Sequence, residues 1–301
     1  MIDLLRARVA RGSRAPHEDG ASIALAVEGG AMRGVISAGM VWALEDLGLV
    51  DAFDAVYGSS AGAINAAYFL GGQAGVGTTI YYENINNRHF IDLSRMARGR
   101  PVVDLAYMLD DVAVRQKPLD ASRVIASASP LSVIATDVVA EGSRALRHFT
   151  TPAGLISALR ASATMPVLAG APHVHEGRAY LDASISEPIP VPTAERDGHT
   201  HVLVLLTRTG EMRPRPSALD RYFVGPRLRR LSDGLATSYL ARSVPYSALI
   251  RQIDAGTGPL GRARVMAIRS ACHVGRLERR HDVLKDAARR GYDAVMDVFR
   301  H

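Results

Sequence analysis

Cysteine is nearly absent from this chain. Cys272 is the single one in 301 residues, so no internal disulfide can form, and nothing around it marks a nucleophile. Lysine is scarce too: only two of the 36 basic residues are Lys. No low-complexity linker and no internal repeat divides the chain, which argues for one domain with a short leading tail. Metal-ligand spacing is lacking, because His173-Val174-His175 and His199-Thr200-His201 are pairs without a third ligand. No basic groove with interleaved aromatics is present, so a nucleic-acid partner is not expected. Ala55 to Tyr82 carries no charge, but Gly, Ser, Asn65 and Gln73 interrupt it. It reads as a buried turn and helix rather than a membrane span.

The apolar fraction, 48%, is ordinary for a globular protein, and the length suffices for one large core. Met1 to Ala15 carries Arg6, Arg8, Arg11 and Arg14 without an apolar stretch of leader length. Residues 1–21 are therefore expected to form a basic, flexible tail. Charge is uneven: residues 207–301 carry a net +10 and the preceding residues a net −4. Helices expected over Gly225 to Leu231 and Val283 to Phe299 would lie on anionic lipid headgroups in one reading and present solvated faces in the other.

The most informative stretch runs from Ile23 to Leu70, where two apolar runs each stop at a glycine-rich turn. Ala24 to Val27 stops at Glu28-Gly29-Gly30, and Ala55-Val56-Tyr57 stops at Gly58-Ser59-Ser60-Ala61-Gly62. A helical pattern follows each, about Arg33 to Leu47 and Ser60 to Leu70. This is the pattern of βα units in a parallel sheet, which place functional turns at the carboxyl ends of strands. The second turn fits G-x-S-x-G, with Ser60 presented between Gly58 and Gly62 at a helix start; the bland alternative makes Ser60 an N-cap. The first turn, Gly29-Gly30-Ala31-Met32-Arg33-Gly34, offers backbone N–H groups able to hold an oxyanion or a phosphate. A dinucleotide reading of that turn needs an acidic partner about twenty residues on, for which Asp51 and Asp54 stand in range.

Further strands are expected over Leu131 to Asp137, His201 to Leu206 and, at an edge, Arg264 to Ser270. Ala145 to Phe149 is expected to pair with the first of these across Glu141-Gly142. Pro152 to Ser162 reads as a helix capped by Thr151. Gly71 to Ser129 reads as turns and short helices, with Asp110-Asp111 as a solvated helix end. Arg178 to Leu181 reads as a short strand that delivers Asp182 before a Pro-rich turn.

These motifs, with Ala161-Ser162-Ala163-Thr164-Met165-Pro166 and the late Gly275-Arg276-Leu277-Glu278, resemble the patatin-like phospholipase family. The closest likeness is to its bacterial branch with a Glu-Gly-Gly-Ala-Met-Arg-Gly loop. The resemblance extends from about Ser22 to near the C-terminus. It implies a three-layer α/β/α sandwich with a mostly parallel sheet over 22–301, including the basic helical part at 207–301. It also implies a serine acyl hydrolase without cofactor, acting on a lipid or other acyl ester, with Ser60 as nucleophile and Asp182 as base. Gly29, Gly30, Ala31 and Arg33 would supply the oxyanion hole. A cytoplasmic or peripherally membrane-bound location is expected. Two positions depart from the family pattern: Ala31 replaces a loop glycine, and Asp182 is followed by Ala183. If the latter position needs a positive φ, Ala183 would be strained and a non-catalytic lipid binder would result. Ten histidines keep a Ser-His-Asp triad open, with His148, His173 and His175 nearest to strand ends.

Overall fold

A computed structural model describes residues 1–166, 168–210, 216–218 and 220–300. The chain opens with helix α1 (Ile2–Arg11), followed by strand β1 (Ile23–Val27) and helix α2 (Val35–Asp46). Strand β2 (Ala55–Ser59) leads into α3 (Ala61–Leu70), α4 (Ala74–Glu83), a π-wound helix over Tyr107–Gln116 and α5 (Ala121–Ile125). Next come β3 (Leu131–Asp137), β4 (Gly142–Leu146), α6 (Pro152–Ala163), β5 (His173–His175) and β6 (Arg178–Leu181). The last part holds α7 (Val191–Arg196), β7 (His201–Leu206), α8 (Gly225–Arg229), α9 (Asp233–Ala241), α10 (Ser243–Asp254), β8 (Arg264–Arg269) and α11 (His281–Arg300).

The strands make one sheet in the order β5-β6-β3-β2-β1-β7-β8, with β4 beside β3. The pairs from β3 through β8 along this order are parallel, and β4, β5 and β6 add antiparallel pairings. From β1 the chain proceeds outward to β2 and β3, then returns to the other side with β7 and β8. Such a reversal leaves a crevice at the carboxyl ends of the central strands.

Alternation along each strand assigns the two faces. Ile23, Leu25 and Val27 join Val56, Val133 and Leu203 in a core covered by α2, α3, α4 and α11. Ala24 and Ala26 face the other way, against Tyr57, Val202 and Val204 and beneath α7 and α10. The result is the three-layer α/β/α arrangement expected from the sequence.

Helix α11 is fastened to α2 by a reciprocal glycine contact. A Cβ on Gly39 would lie 1.9 Å from the Ala288 carbonyl oxygen, and one on Gly291 would lie 2.1 Å from that of Ile36. Tyr292 adds a hydrogen bond from its hydroxyl to Asp46 at 2.8 Å and an edge contact with Trp42. The arginines of α11 are not a free cationic face. Arg289 and Arg290 pair with Asp286, and Arg300 pairs with Asp297, inside the helix.

Three expectations change. Residues 1–21 are not a flexible tail throughout, because α1 docks through Arg8, whose side chain is fully buried. Its guanidinium grips Asp19 in a bidentate pair at 2.7 and 2.8 Å, reaches Asp54 at 2.9 Å, and donates to the carbonyls of Ala21 and Ala52. That pairing holds the Asp19 carboxyl far below the usual range. The four arginines of this segment read alike in sequence, and only the partners Asp19 and Asp54 single out one for burial. Second, the strand paired with β3 is Gly142–Leu146, so Ala145 lies opposite Ile134 and Phe149 falls outside the ladder. Third, Asp110-Asp111 lies inside the π-wound helix rather than at a helix end, with Asp110 paired to Arg160.

Gly291→Ala and Gly39→Ala should each destabilise the fold by about 1–3 kcal/mol or more, since backbone rather than a movable side chain blocks the added methyl. Urea unfolding would measure this. Gly275→Ala, whose added Cβ meets nothing within 4 Å, should change little.

Candidate active site

The turns after β1 and β2 lie against each other. A Cβ on Gly29 would sit 2.3 Å from the Ser59 carbonyl oxygen and 2.9 Å from Ser60 Cβ. In return, a Cβ on Gly62 would sit 2.3 Å from the Val27 carbonyl oxygen. Gly58 is needed for a similar reason, because its Cβ would run into Ala63 Cα at 2.3 Å. Gly58 and Gly62 therefore serve close approach. The unusual backbone falls on Ser60 itself, at φ 55° and ψ −126°. A non-glycine residue held there costs on the order of 1–3 kcal/mol and persists only under tight surroundings. One restraint is the Ser60 N–H, which donates to Ser162 Oγ at 2.8 Å, while Ser162 in turn donates to the Ile134 carbonyl. Helix α3 begins at the next residue, so its positive end faces the Ser60 hydroxyl.

Asp182 arrives from the far side of β3. Antiparallel pairing sets Leu181 opposite Thr136, which delivers the next residue to the crevice. Ser60 Oγ donates to Asp182 Oδ2 at 2.7 Å. The other carboxylate oxygen accepts from the Ser184 N–H at 2.8 Å. The Asp182 N–H donates to the Thr164 carbonyl, and the Asp182 carbonyl accepts from Thr136 Oγ1. Burial, at 3% exposure, pushes the carboxyl above its ordinary value, and the hydrogen bonds from Ser184 and Ser60 oppose that rise.

Ala183 does not need a positive φ. It starts a short 3-10 turn, is fully buried, and falls outside the residues with left-handed backbone. The strained departure is instead Ala31, at φ 53°. It opens the 3-10 turn Ala31–Gly34 that precedes α2. The N–H groups of Gly29, Gly30 and Ala31 meet no acceptor among the described residues, whereas Met32 N–H donates to the Arg276 carbonyl at 3.2 Å. The Arg33 side chain runs under this loop, close to Gly30, and its Nε donates to Thr207 Oγ1 at 3.2 Å. Burial, then the nearby charge of Arg208, lowers Arg33 to about 10.

Glu28 anchors the loop from below. Its carboxylate accepts from the Thr207 N–H at 2.6 Å and the Tyr246 hydroxyl at 2.8 Å, tying the end of β1 to β7 and α10. Ser60, Asp182 and the glycine loop all border one cavity. Tyr81, Ile85, Phe90, Ile91, Leu105 and Met108 furnish much of its apolar wall, so the segment between α3 and β3 lines the cleft.

Other candidates lie elsewhere. Of the nine described histidines, none borders this cavity. His173 and His175 both face Ser157 Oγ, and His148 is exposed. His199 bridges Ser22 and the Tyr57 hydroxyl, while His201 contacts Thr200. Asp54 accepts from the Ile23 N–H at the start of β1. That is the opposite end of the strand from the glycine loop, so Asp54 cannot serve a ribose there. Sequence reasoning assigned no role to Ser162, Thr207, Arg208 or Arg276. Ser162 and Arg276 stand in stretches singled out for their resemblance, but no local signal connected any of the four with Ser60.

Residues 25–195 match the model of the family described as patatin-like phospholipase. The uncharacterized protein YjjU of Escherichia coli is 31% identical over 205 residues, covering 66% of this chain and 56% of its own length. The chain thus spans little more than half of that relative. VipD from Legionella pneumophila aligns in structure at 14% identity and a TM-score of 0.49, over 93% of this chain and 67% of its own. Human GIVD cytosolic phospholipase A2 aligns at 13% identity and a TM-score of 0.36, over 73% and 48%. The matched region contains both glycine turns, Ser60 and Asp182, and the chain belongs to the patatin-like phospholipase family.

Proposed function

We propose that this protein is a serine acyl-ester hydrolase acting on lipids, with Ser60 as nucleophile and Asp182 as its base. The observation that carries this reading is the 2.7 Å hydrogen bond from Ser60 Oγ to a buried carboxylate at the mouth of an apolar cavity. A serine hydroxyl is a weak nucleophile until a neighbour takes its proton, and burial makes a carboxylate a better acceptor.

The steps follow from the geometry. Ser60 Oγ attacks the ester carbonyl carbon and its proton passes to Asp182. The carbonyl oxygen becomes an oxyanion facing the N–H groups of Gly29, Gly30 and Ala31, with Arg33 beneath. Preorganised donors of this kind contribute roughly 3–4 kcal/mol each. The bond to the alkoxy oxygen then breaks, and Asp182 returns its proton to the departing alcohol. Water, activated by the same carboxylate, hydrolyses the acyl-enzyme to release the acid and regenerate Ser60. The apolar wall from Tyr81 to Met108 receives the acyl chain.

The relaxed backbone at Ala183 removes the reason to regard the chain as a non-catalytic lipid binder. Among the described residues, no helix is long and apolar enough to cross a membrane. Contact with an anionic lipid surface is assigned here to the segment from Arg221 to Leu231. In it, Tyr222 and Phe223 are 67% and 44% exposed beside the exposed Arg227, Arg229 and Arg230. Apolar side chains flanked by arginines suit the headgroup boundary.

Four outcomes are expected. Fluorophosphonate probes should label the wild type at Ser60 and fail on Ser60→Ala, with esterase activity lost by roughly 10³-fold or more. Asp182→Asn should lose about 10²–10⁴-fold, the span of general-base contributions. Full labelling of either variant would defeat the corresponding assignment. Asp182 must be ionised to act, so kcat/KM on a soluble ester should rise with pH, with its acid midpoint above 3.8. A midpoint at or below that value would contradict a buried base. Tyr222→Ser with Phe223→Ser should weaken co-sedimentation with phosphatidylglycerol vesicles severalfold while leaving soluble-ester turnover intact.

A further inference from the structure

The cavity at Ser60 is apolar at one end and cationic at the other. Among the described residues, Arg33, Arg208, Arg242 and Arg276 line it, against two carboxylates, Glu28 and Asp182. The existing partners do not satisfy this excess. Glu28 is already engaged by Thr207 and Tyr246. Arg242 is committed elsewhere: it pairs with Asp220 at 3.0 Å, donates to the Tyr239 carbonyl and stacks on the Tyr239 ring at 3.7 Å.

Arg208 and Arg276 remain. Arg208 is 3.7 Å from Glu28 Oε1, which is ion-pair contact without a hydrogen bond, and its Nε is buried with no acceptor. It lies over the Tyr246 ring, which holds the guanidinium in place. Arg276 has no ion-pair or side-chain hydrogen-bond partner among the described residues, although it is half-buried in the cavity wall. Its position is nevertheless set, since its carbonyl accepts from the Met32 N–H of the glycine loop. Burial lowers Arg208, Glu28 and Tyr246 oppose that fall, and the neighbouring charges of Arg276 and Arg242 add to it. A buried guanidinium nitrogen without an acceptor, with a second unpaired arginine beside it, is costly unless an anion completes the two.

We propose that Arg208 and Arg276 form an anion subsite for the phosphate of a phosphate-bearing acyl ester, whose acyl chain fills the apolar end of the cavity. This rests on the reading of Ser60 as nucleophile and narrows its substrate class. Planar guanidinium forks match phosphate oxygens, and two of them converge beside the oxyanion loop. Both residues lie beyond 25–195, the part matched by the family model. The basic C-terminal part therefore adds substrate selection to a site built by the preceding residues.

The test compares three esters of one acyl chain: lysophosphatidic acid, lysophosphatidylcholine and a monoacylglycerol. In Arg276→Gln and Arg208→Gln, the ratio of kcat/KM for the phosphate esters to that for the neutral ester should fall by about tenfold or more, as lost charge-assisted contacts imply. Arg276→Lys should recover part of the ratio. Glycerol 3-phosphate should compete with the neutral ester in the wild type and lose that competition in the Gln variants. Arg276 also lies near enough to Asp182 to favour its ionised form. If its role were only to tune that base, all three esters would slow together and the acid limb of the pH profile would move, which would overturn the proposal. An unchanged ratio would overturn it as well. Calorimetric binding of glycerol 3-phosphate to Ser60→Ala, with and without Arg276→Gln, reads the subsite independently of turnover. Failure of that binding rejects the subsite, whereas failure of fluorophosphonate labelling rejects only the nucleophile.

Discussion

Two carbonyl oxygens occupy the space that two Cβ atoms would need. The Ser59 carbonyl presses on Gly29 and the Val27 carbonyl presses on Gly62. This interlock puts the end of β1 and the end of β2 in direct backbone contact. Everything catalytic in the proposed mechanism depends on it. The free N–H groups of the glycine loop can face Ser60 only if no side chain separates the two turns. The strained backbone of Ser60 persists because Ser162, the start of α3 and the glycine loop together leave it no alternative. A methyl group at either glycine would push the turns apart and release that strain.

Charge is arranged around the interlock in two opposed ways. Asp182 is a carboxylate raised in pKa by burial and poised against Ser60. Glu28 is equally buried, but it is surrounded by donors and serves as a fastening between β1, β7 and α10. The difference lies in the partners. The Thr207 N–H and hydroxyl, the Tyr246 hydroxyl and the nearby Arg208 fasten Glu28, while Asp182 accepts from the Ser184 N–H and from the Ser60 hydroxyl that faces the cavity. Arg8 repeats the structural pattern at the opposite end of the sheet, where its saturated guanidinium holds α1 in place. Arg208 and Arg276 in the cavity wall are the exception: they are positioned but not saturated.

The sequence carried much of the site because its essential parts are local. A Gly-x-Ser-x-Gly turn and a glycine loop are short, and each follows an apolar run and opens a helix. Ser60, Asp182, Gly29 and Gly30 were therefore legible as candidates, as were β3 and β7 from their continuous apolar runs. Ala31 and Ala183 were harder to weigh. Both replace a glycine, but φ is set by the surrounding chain, and only the fold shows that Ala31 bears the strain and Ala183 does not. The strand beside β3 was placed three residues late because hairpin register depends on the turn at Glu141, which takes a positive φ.

By itself, the sequence determined the βα units and the two glycine turns, because periodicity and turn chemistry act over a few residues; the pairing of Ser60 with Asp182 was implied only by the family resemblance, since the two stand far apart in the chain. The tertiary structure decided which of many like residues matter. It chose Arg8 over Arg6, Arg11 and Arg14 for burial, and neutralised the arginines of α11 within their own helix. It also brought Ser162, Thr207, Arg208 and Arg276 to the cavity at Ser60, more than a hundred residues away in the chain. The physical reason is that burial and charge pairing are properties of neighbours in space, and a chain of near-identical arginines does not say which neighbours each will have.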